Sequence, residues 1–456
     1  MVTEVVKNGP SGSERAFTAL AVGPLARMLL AGMLLLVAVT DVHAVELNPE
    51  LRLPPLDGGG SDITRRPEQQ RSITARTRPR PELEPLGVRI GSLQLTTELG
   101  MRAGYNDNLF AAEDRKESDF LYTFAPRFEL RSDWSRHEIR VGADAVQARH
   151  QDFSGEDYDD WRIFADTRLD VGTQGALFGQ FSVSRGHETR ESPNSIADRE
   201  MAEYLVSQAT AGWSQAMGRF EIRLAGGVAD HDFEDRGVLN DSFLLDDNRD
   251  RVAVTGEGRL RYAIMPGYGV FVRGAYNRQK YDDLGPGGTT RDSSGIAYDL
   301  GLDLEITDLI FGDAFVGYYR QRYEDSNFED RDGLGLGANL YWNPTTLSTL
   351  HLRARRSVEE TILPTASGYI ATEIALELQH ELLRNLLVLA GTSVTNRDYQ
   401  GLSFQEDLWQ YHLAANYMLN RNLSLRWRLG YRDQQGDGGG RSYTQTFVEQ
   451  HLVFRF

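Results

Sequence analysis

The chain has 456 residues, a formal charge of −17, 40% hydrophobic residues and no cysteine. The charge argues against a nucleic-acid binder, which carries a basic patch. The missing cysteine excludes a disulfide framework, a thiolate metal site and a cysteine nucleophile. So little apolar sequence also excludes a bundle of membrane helices, each of which needs about 20 apolar residues in a row.

In chain order, the first feature is the only long apolar run, residues 28–39, "MLLAGMLLLVAV". It follows Lys7, Arg15 and Arg27 and precedes Val42-His43-Ala44. A basic start, a short apolar stretch and small residues before a cut predict a signal peptide over residues 1–44 and an exported mature chain. Residues 45–87 are different material. They hold seven of the fifteen prolines, three consecutive glycines (Gly58, Gly59, Gly60) and six arginines between Arg65 and Arg80. This composition predicts a disordered periplasmic tail, read as a spacer, with a basic docking segment as the alternative.

From Val88 onward the apolar pattern has period two. Leu93, Leu95, Thr97, Leu99, Met101, Ala103 and Tyr105 form one face of the first strand. Later, Leu423, Leu425, Trp427, Leu429 and Tyr431 alternate with Ser424, Arg426, Arg428, Gly430 and Arg432. Such alternation means strands with one apolar and one polar face. It persists for about ten residues or more, as a membrane crossing needs, whereas a soluble sandwich uses strands of about 5–6. Short turns recur after every second strand: Ser132-Asp133, Thr173-Gln174-Gly175, Ala216-Met217-Gly218, Pro266-Gly267, Thr307-Asp308, Asn343-Pro344, Arg384-Asn385 and Asn420-Arg421. Long acid-rich links lie between them. The expectation is an all-β fold, a transmembrane antiparallel β-barrel over residues 88–456 with about 18 strands, 16 being the alternative. Its short turns face the periplasm and its long acidic loops the exterior, in the outer membrane of a Gram-negative bacterium. Residues 204–214, 310–322 and 386–389 alternate poorly.

With the apolar face in lipid, the other alternates line a water-filled lumen. The cations placed there are Arg102, Arg140, Arg223, Arg251, Arg259, Arg261, Arg273, Arg353, Arg355, Arg426 and Arg428. The acids are Glu98, Asp144, Asp299, Asp303, Glu305, Glu373 and Glu377. Arg353 and Arg355 precede Glu373 and Glu377 by one strand. Such rows act as cross-strand pairs that stiffen the wall, or as a transverse field that orients a polar solute. Phe164, Phe178, Phe271 and Tyr319 fall on the same face and could stack on sugar rings or pack under an inward loop. No HExxH or GxSxG occurs and no nucleophile is legible beside the nine histidines, so no enzyme activity, metal or cofactor is expected. The acid-rich residues 230–250 and 324–332 do not match a calcium loop.

The stretch Gly104–Phe110, "GYNDNLF", follows the signal peptide, the Pro/Arg tail and "VRIGSLQLTTELGMRA". This order resembles the beta-barrel porin family associated with exopolysaccharide gene clusters. There the first strand ends in a Tyr-Asp-Asn-Asn-(Val/Leu/Ile)-Phe-like motif, matched here by Tyr105, Asn108 and Phe110, while Asn106 stands where Asp is common. The resemblance implies an outer-membrane channel that assists export of an exopolysaccharide or capsule polymer, with periplasmic export components as partners. The residues themselves suit a hydrated polymer or small solutes equally, so a general or solute-selective diffusion porin is one alternative, and a structural or adhesive surface barrel without transport is another. The chain ends in "QHLVFRF". Val448, Gln450, Leu452, Phe454 and Phe456 form the outward set of a closing strand. Phe454 and the terminal aromatic Phe456 resemble the signal by which barrel-assembly machinery recognises its substrates.

Overall fold

A computed structural model describes residues 73–456, except 196–200, 235–248, 286–287, 307–308, 360, 362, 364–365 and 400. The expected signal peptide, residues 45–72 of the expected tail, the Thr307-Asp308 turn and most of the 230–250 link lie outside the described residues.

The strands in chain order are β1 (Val88–Ile90), β2 (Leu93–Asn106), β3 (Asp119–Ser132), β4 (Glu138–His150), β5 (Tyr158–Val171), β6 (Gly175–His187), β7 (Glu203–Met217), β8 (Phe220–Phe233), β9 (Arg251–Met265) and β10 (Tyr268–Tyr281). They continue as β11 (Ser293–Ile306), β12 (Ile310–Tyr323), β13 (Arg331–Thr345), β14 (Ser348–Glu359), β15 (Tyr369–Leu383), β16 (Leu386–Tyr399), β17 (Gln405–Met418), β18 (Leu423–Asp437) and β19 (Tyr443–Arg455). Each of β2 to β19 pairs antiparallel with its neighbours in sequence, and β19 returns to β2, so the eighteen close a cylinder. Closure is what lipid demands, because an open edge would leave backbone groups unsatisfied.

Alternation along the strands fixes which face is which. Met101, Tyr122, Phe128, Ile163, Leu224, Val272, Leu300, Val316, Leu334, Ile374, Leu413 and Val448 all point outward and are exposed. The cylinder therefore wears its apolar set outside and its polar set inside, the arrangement a bilayer stabilises. The three stretches with poor alternation are nonetheless strands, within β7, β12 and β16. At the start of β16, Leu387 is inward yet 4% exposed. It pairs with Glu381, where the amino-terminal segment docks, so burial inside the mouth replaces burial in lipid.

One expected turn is displaced. Asn343-Pro344 lies inside β13, and the chain reverses at Thr346 and Leu347, with Thr345 opposite Ser348. A register irregularity between Trp342 and Thr345 accommodates Pro344, which has no N–H for the ladder.

The seam has its own construction. Phe456 and Thr97 exchange both backbone hydrogen bonds (2.9 and 3.1 Å), one rung beyond the Arg455–Glu98 pair. Two rungs further along β2, Val88 of β1 pairs with Leu95, so β1 continues the row that β19 leaves. Gly87 makes the approach possible: its φ is +64°, and a Cβ there would sit 2.6 Å from the Leu95 carbonyl oxygen.

Residues 73–86 depart from the expected structureless tail. They fold into the periplasmic mouth against β13 to β16. The Ala75 amide donates to Thr349 Oγ1 (2.8 Å) and the Arg76 amide to Gln379 Oε1 (3.3 Å). Buried Arg80 donates to Glu381 (2.7 Å), to the Ala75 carbonyl (2.8 Å) and to the Arg384 carbonyl (3.2 Å). A guanidinium whose N–H groups all meet fixed acceptors holds a turn that proline-rich sequence alone would leave open.

Candidate functional site

The lumen wall is built from a repeated local unit. On the inner face a phenylalanine ring covers a glycine of a neighbouring strand, and an arginine lies over the ring. A Cβ on Gly301 would sit 2.2 Å from Phe271, and Arg259 lies 3.8 Å above that ring. Gly337, Phe315 and Arg273 repeat the pattern, with 2.3 and 4.4 Å, as do Gly430, Phe447 and Arg428, with 2.0 and 5.0 Å. Gly212, Phe178 and Arg223 form a fourth copy. The aromatic replaces the side chain that glycine lacks, and the cation gains from the ring's negative face. Phe178 and Phe271 are 3% and 2% exposed, which favours packing over sugar stacking for both. Phe164, beneath Arg162 and Arg140, and Tyr319 are buried as well.

All eighteen ionic residues expected in the lumen fall on the inner alternates, but they divide into two sets. On β4 to β11 most are buried or nearly so, and most are tightly paired. Arg140 donates through Nε to Asp166 (2.9 Å), Arg162 holds Asp144 (2.8 Å), and Arg273 holds Asp299 (2.6 Å). Arg259 and Arg261 share Asp303 at 3.2 and 3.0 Å. Arg223 is buried beside Phe178, and Arg251 is buried with its guanidinium on the Arg249 carbonyl (2.8 Å). Glu305 sits at the periplasmic end of β11 opposite Phe311. On β14 to β2 the residues are more open and their contacts longer: Arg353–Glu373 3.6 Å, Arg426–Glu98 3.9 Å and Arg428–Glu449 3.8 Å. Arg102 holds Glu449 at 2.9 Å. Arg355 turns to Glu359 (3.3 Å), and Glu377 accepts from Gln379 (2.9 Å) and faces His412 (3.3 Å).

Sequence reasoning missed the element that narrows the lumen. Residues 188–195, between β6 and β7, turn inward and reach the inner face of β18, although β19, β2, β3, β4 and β5 lie between along the wall. Glu188 is held by Arg249 (2.7 Å), Arg190 by buried Glu156 (2.7 Å through Nε), and Glu191 by Arg432. Arg441 donates to the carbonyls of Arg190, Glu191 and Ser192 at 2.8, 3.0 and 3.2 Å. Of the three matched motif residues, one touches this loop directly, one ties the first loop to β19 and one faces lipid. Asn108 is fully buried and donates to the carbonyls of Ala112 (2.7 Å) and Thr444 (2.9 Å), while its Oδ1 accepts from the Ala112 amide (3.0 Å). Phe110 packs edge-on to Phe153 and lies under Arg190. Tyr105 faces outward beside Phe120, in the belt that meets lipid. Arg190, Arg249 and Arg441 lie outside the strands, where no period marks them; only their partners do.

Among the described residues no three His, Asp or Glu side chains converge as a metal site.

Among curated proteins nothing matches the chain. Solved structures similar to it include OccK2 (OpdF) of Pseudomonas aeruginosa in complex with glucuronate, 10% identical with a TM-score of 0.45, covering 80% of this chain and 98% of that one. A BenF-like porin from Pseudomonas fluorescens Pf-5 is 10% identical with a TM-score of 0.46, covering 80% and 100%. Pseudomonas aeruginosa OpdQ is 13% identical with a TM-score of 0.42, covering 80% and 97%. Residues 80–456 match the family described as "Putative beta-barrel porin 2", whose first matched residue is the buried Arg80. The chain therefore belongs to that family and is a porin-like β-barrel channel of the Gram-negative outer membrane.

Proposed function

We infer that the protein is a diffusion channel for small polar solutes. The observation that carries this reading is the inward loop 188–195, fastened to β18 and to the β18–β19 loop by Arg432 and Arg441. A barrel of about 18 strands leaves an aqueous channel, and a loop pinned inside it leaves less room for a hydrated polymer than for single sugars or acids. Export of an exopolysaccharide is the second reading, supported by the Gly104–Phe110 resemblance, and it requires this loop to leave Arg432 and Arg441. Swelling of liposomes holding the purified full-length protein separates the two. Uptake of monosaccharides that falls steeply with solute size supports the diffusion channel. Passage of long oligosaccharides at a similar rate overturns it in favour of export, and a barrel that conducts nothing favours a structural surface role. Assembly by the barrel-assembly machinery belongs to the same proposal, with Phe454 and Phe456 as its signal.

A further inference from the structure

Gln450 is a polar residue on the lipid-facing side of the barrel. It lies midway along β19, in the outward set, and its side chain is exposed there. Its neighbours are apolar in every direction: Val448 and Leu452 on the same strand, Trp427 across on β18 and Ala103 across on β2. Among the described residues its side chain makes no hydrogen bond. The other outward amides on the strands, Gln147, Gln215, Asn396 and Gln435, lie near strand ends, within reach of water and headgroups. At mid-depth, hydrocarbon offers nothing to an amide that carries two N–H donors and a carbonyl acceptor.

The surface on either side of Gln450 is shaped as well. Toward β18 the wall is hollowed into a groove of about 430 Å³, whose lining includes Leu413, Ala415, Trp427, Leu429 and Val448. Toward β2 the wall carries a knob, Met101, 44% exposed and one outward position from the small Ala103. Two barrels inserted in the same direction share one membrane, so a twofold axis relating them runs along the membrane normal. Placed at Gln450, that axis sets β2 of each copy against β18 of the other, because those two strands flank β19. Each Met101 then enters the groove of the other copy, and an unbranched thioether suits such a gap. The two Gln450 amides meet on the axis, where an N–H of each donates to the carbonyl oxygen of the other. Both amides are satisfied at once, which neither lipid nor the single chain achieves.

We propose that two copies of this chain associate side by side through the seam, about a twofold axis at Gln450. The contact is isologous, since the same patch serves on both sides, and it closes at two copies. It covers the junction of the first and last long strands and leaves both lumens free. The inference therefore goes beyond the channel reading and is tested apart from it.

The test uses the full-length protein, first in outer membranes and then purified in detergent. The chain has no cysteine, so Val448→Cys, beside Gln450, carries a single thiol and keeps the amide. A short bismaleimide added to the membranes should join two such chains into a band of twice the mass. Leu300→Cys, 60% exposed on the distant strand β11, should remain a single chain. The purified wild type should sediment as a dimer. Gln450→Leu, apolar like its surroundings, should raise the dissociation constant by about threefold to tenfold while keeping the heat-modifiable folded band. Met101→Ala should weaken the dimer too, and it carries the measurement if Gln450→Leu fails to fold. Equal cross-linking at the two thiols overturns the proposal, as does a wild type that sediments as a monomer at every concentration or as a trimer. A Gln450→Leu dimer as tight as the wild type overturns it as well.

Discussion

Replacing Asn108 by Ala tests whether the motif residue is a structural tie between the first loop and the seam. The side chain has no solvent exposure and makes three hydrogen bonds, two donated to the carbonyls of Ala112 and Thr444 and one accepted from the Ala112 amide. Each such bond is worth about 1 kcal/mol net, and groups left buried without a partner add to the loss, which gives about 2–4 kcal/mol for the variant. Thr444 belongs to β19 and Ala112 to the loop after β2, so the lost contacts fall on the two strands that close the cylinder. The assay is reversible urea unfolding of the purified barrel in detergent, followed by tryptophan fluorescence, with the slope of the transition checked against wild type. Asn108→Asp, which keeps the acceptor but turns a second carboxylate oxygen toward two carbonyls, should lose at least as much. A change under about 0.5 kcal/mol at unchanged slope would refute the reasoning, because a merely local tie would not report on closure of the barrel.

Deleting Phe456 removes the rung with Thr97 and should lower the amount of assembled barrel in outer membranes; unchanged levels on a blot speak against the assembly role. Gly301→Ala forces a methyl to within 2.2 Å of Phe271, so a loss of about 1–3 kcal/mol in the same unfolding assay is expected, and a neutral result means the ring is free to move. The Arg384 guanidinium, hydrogen-bonded at 2.6 Å, together with a backbone bond, holds the Glu82 carboxyl below its ordinary value of 4.5. Because the folded value is depressed, this contribution to docking is fully present above the ordinary carboxylate value and is lost as pH falls through the folded value. A fluorophore on an Ile73→Cys variant, the only thiol in the chain, should gain mobility across that acid range, and Glu82→Gln should flatten the response; an identical acid response in Glu82→Gln sinks the assignment. Arg441→Ala removes three donors from the inward loop and should raise single-channel conductance, whereas an unchanged conductance means that residues 188–195 do not limit the pore.

The wall of the barrel was legible because lipid imposes a period on sequence. Every strand must put an apolar residue outward at each second position, so Leu423 to Tyr431 declares its faces without any knowledge of its neighbours. The same rule placed Arg353, Asp299 and the other ionic residues on the inner face. It failed where the environment was not lipid, as at Leu387 and in the turn that Pro344 displaces.

By itself, then, the sequence determined the architecture: about eighteen amphipathic strands, with sixteen as the alternative, their inward charges and an aromatic closing strand. Which charges pair, and so which remain open, was decided only in three dimensions. Asp303 serves both Arg259 and Arg261, while Arg353 meets Glu373 only at 3.6 Å. That difference depends on strand register and on the glycines that let a phenylalanine lie beneath a guanidinium, neither of which has a period. The docked residues 73–86 and the inward loop 188–195 lay equally out of reach, because each is held by a few long-range arginine contacts rather than by a repeating pattern. Lipid acts on every second residue of a strand and so writes itself into the chain, whereas the shape of the lumen depends on partners hundreds of residues apart, such as Arg80 and Glu381.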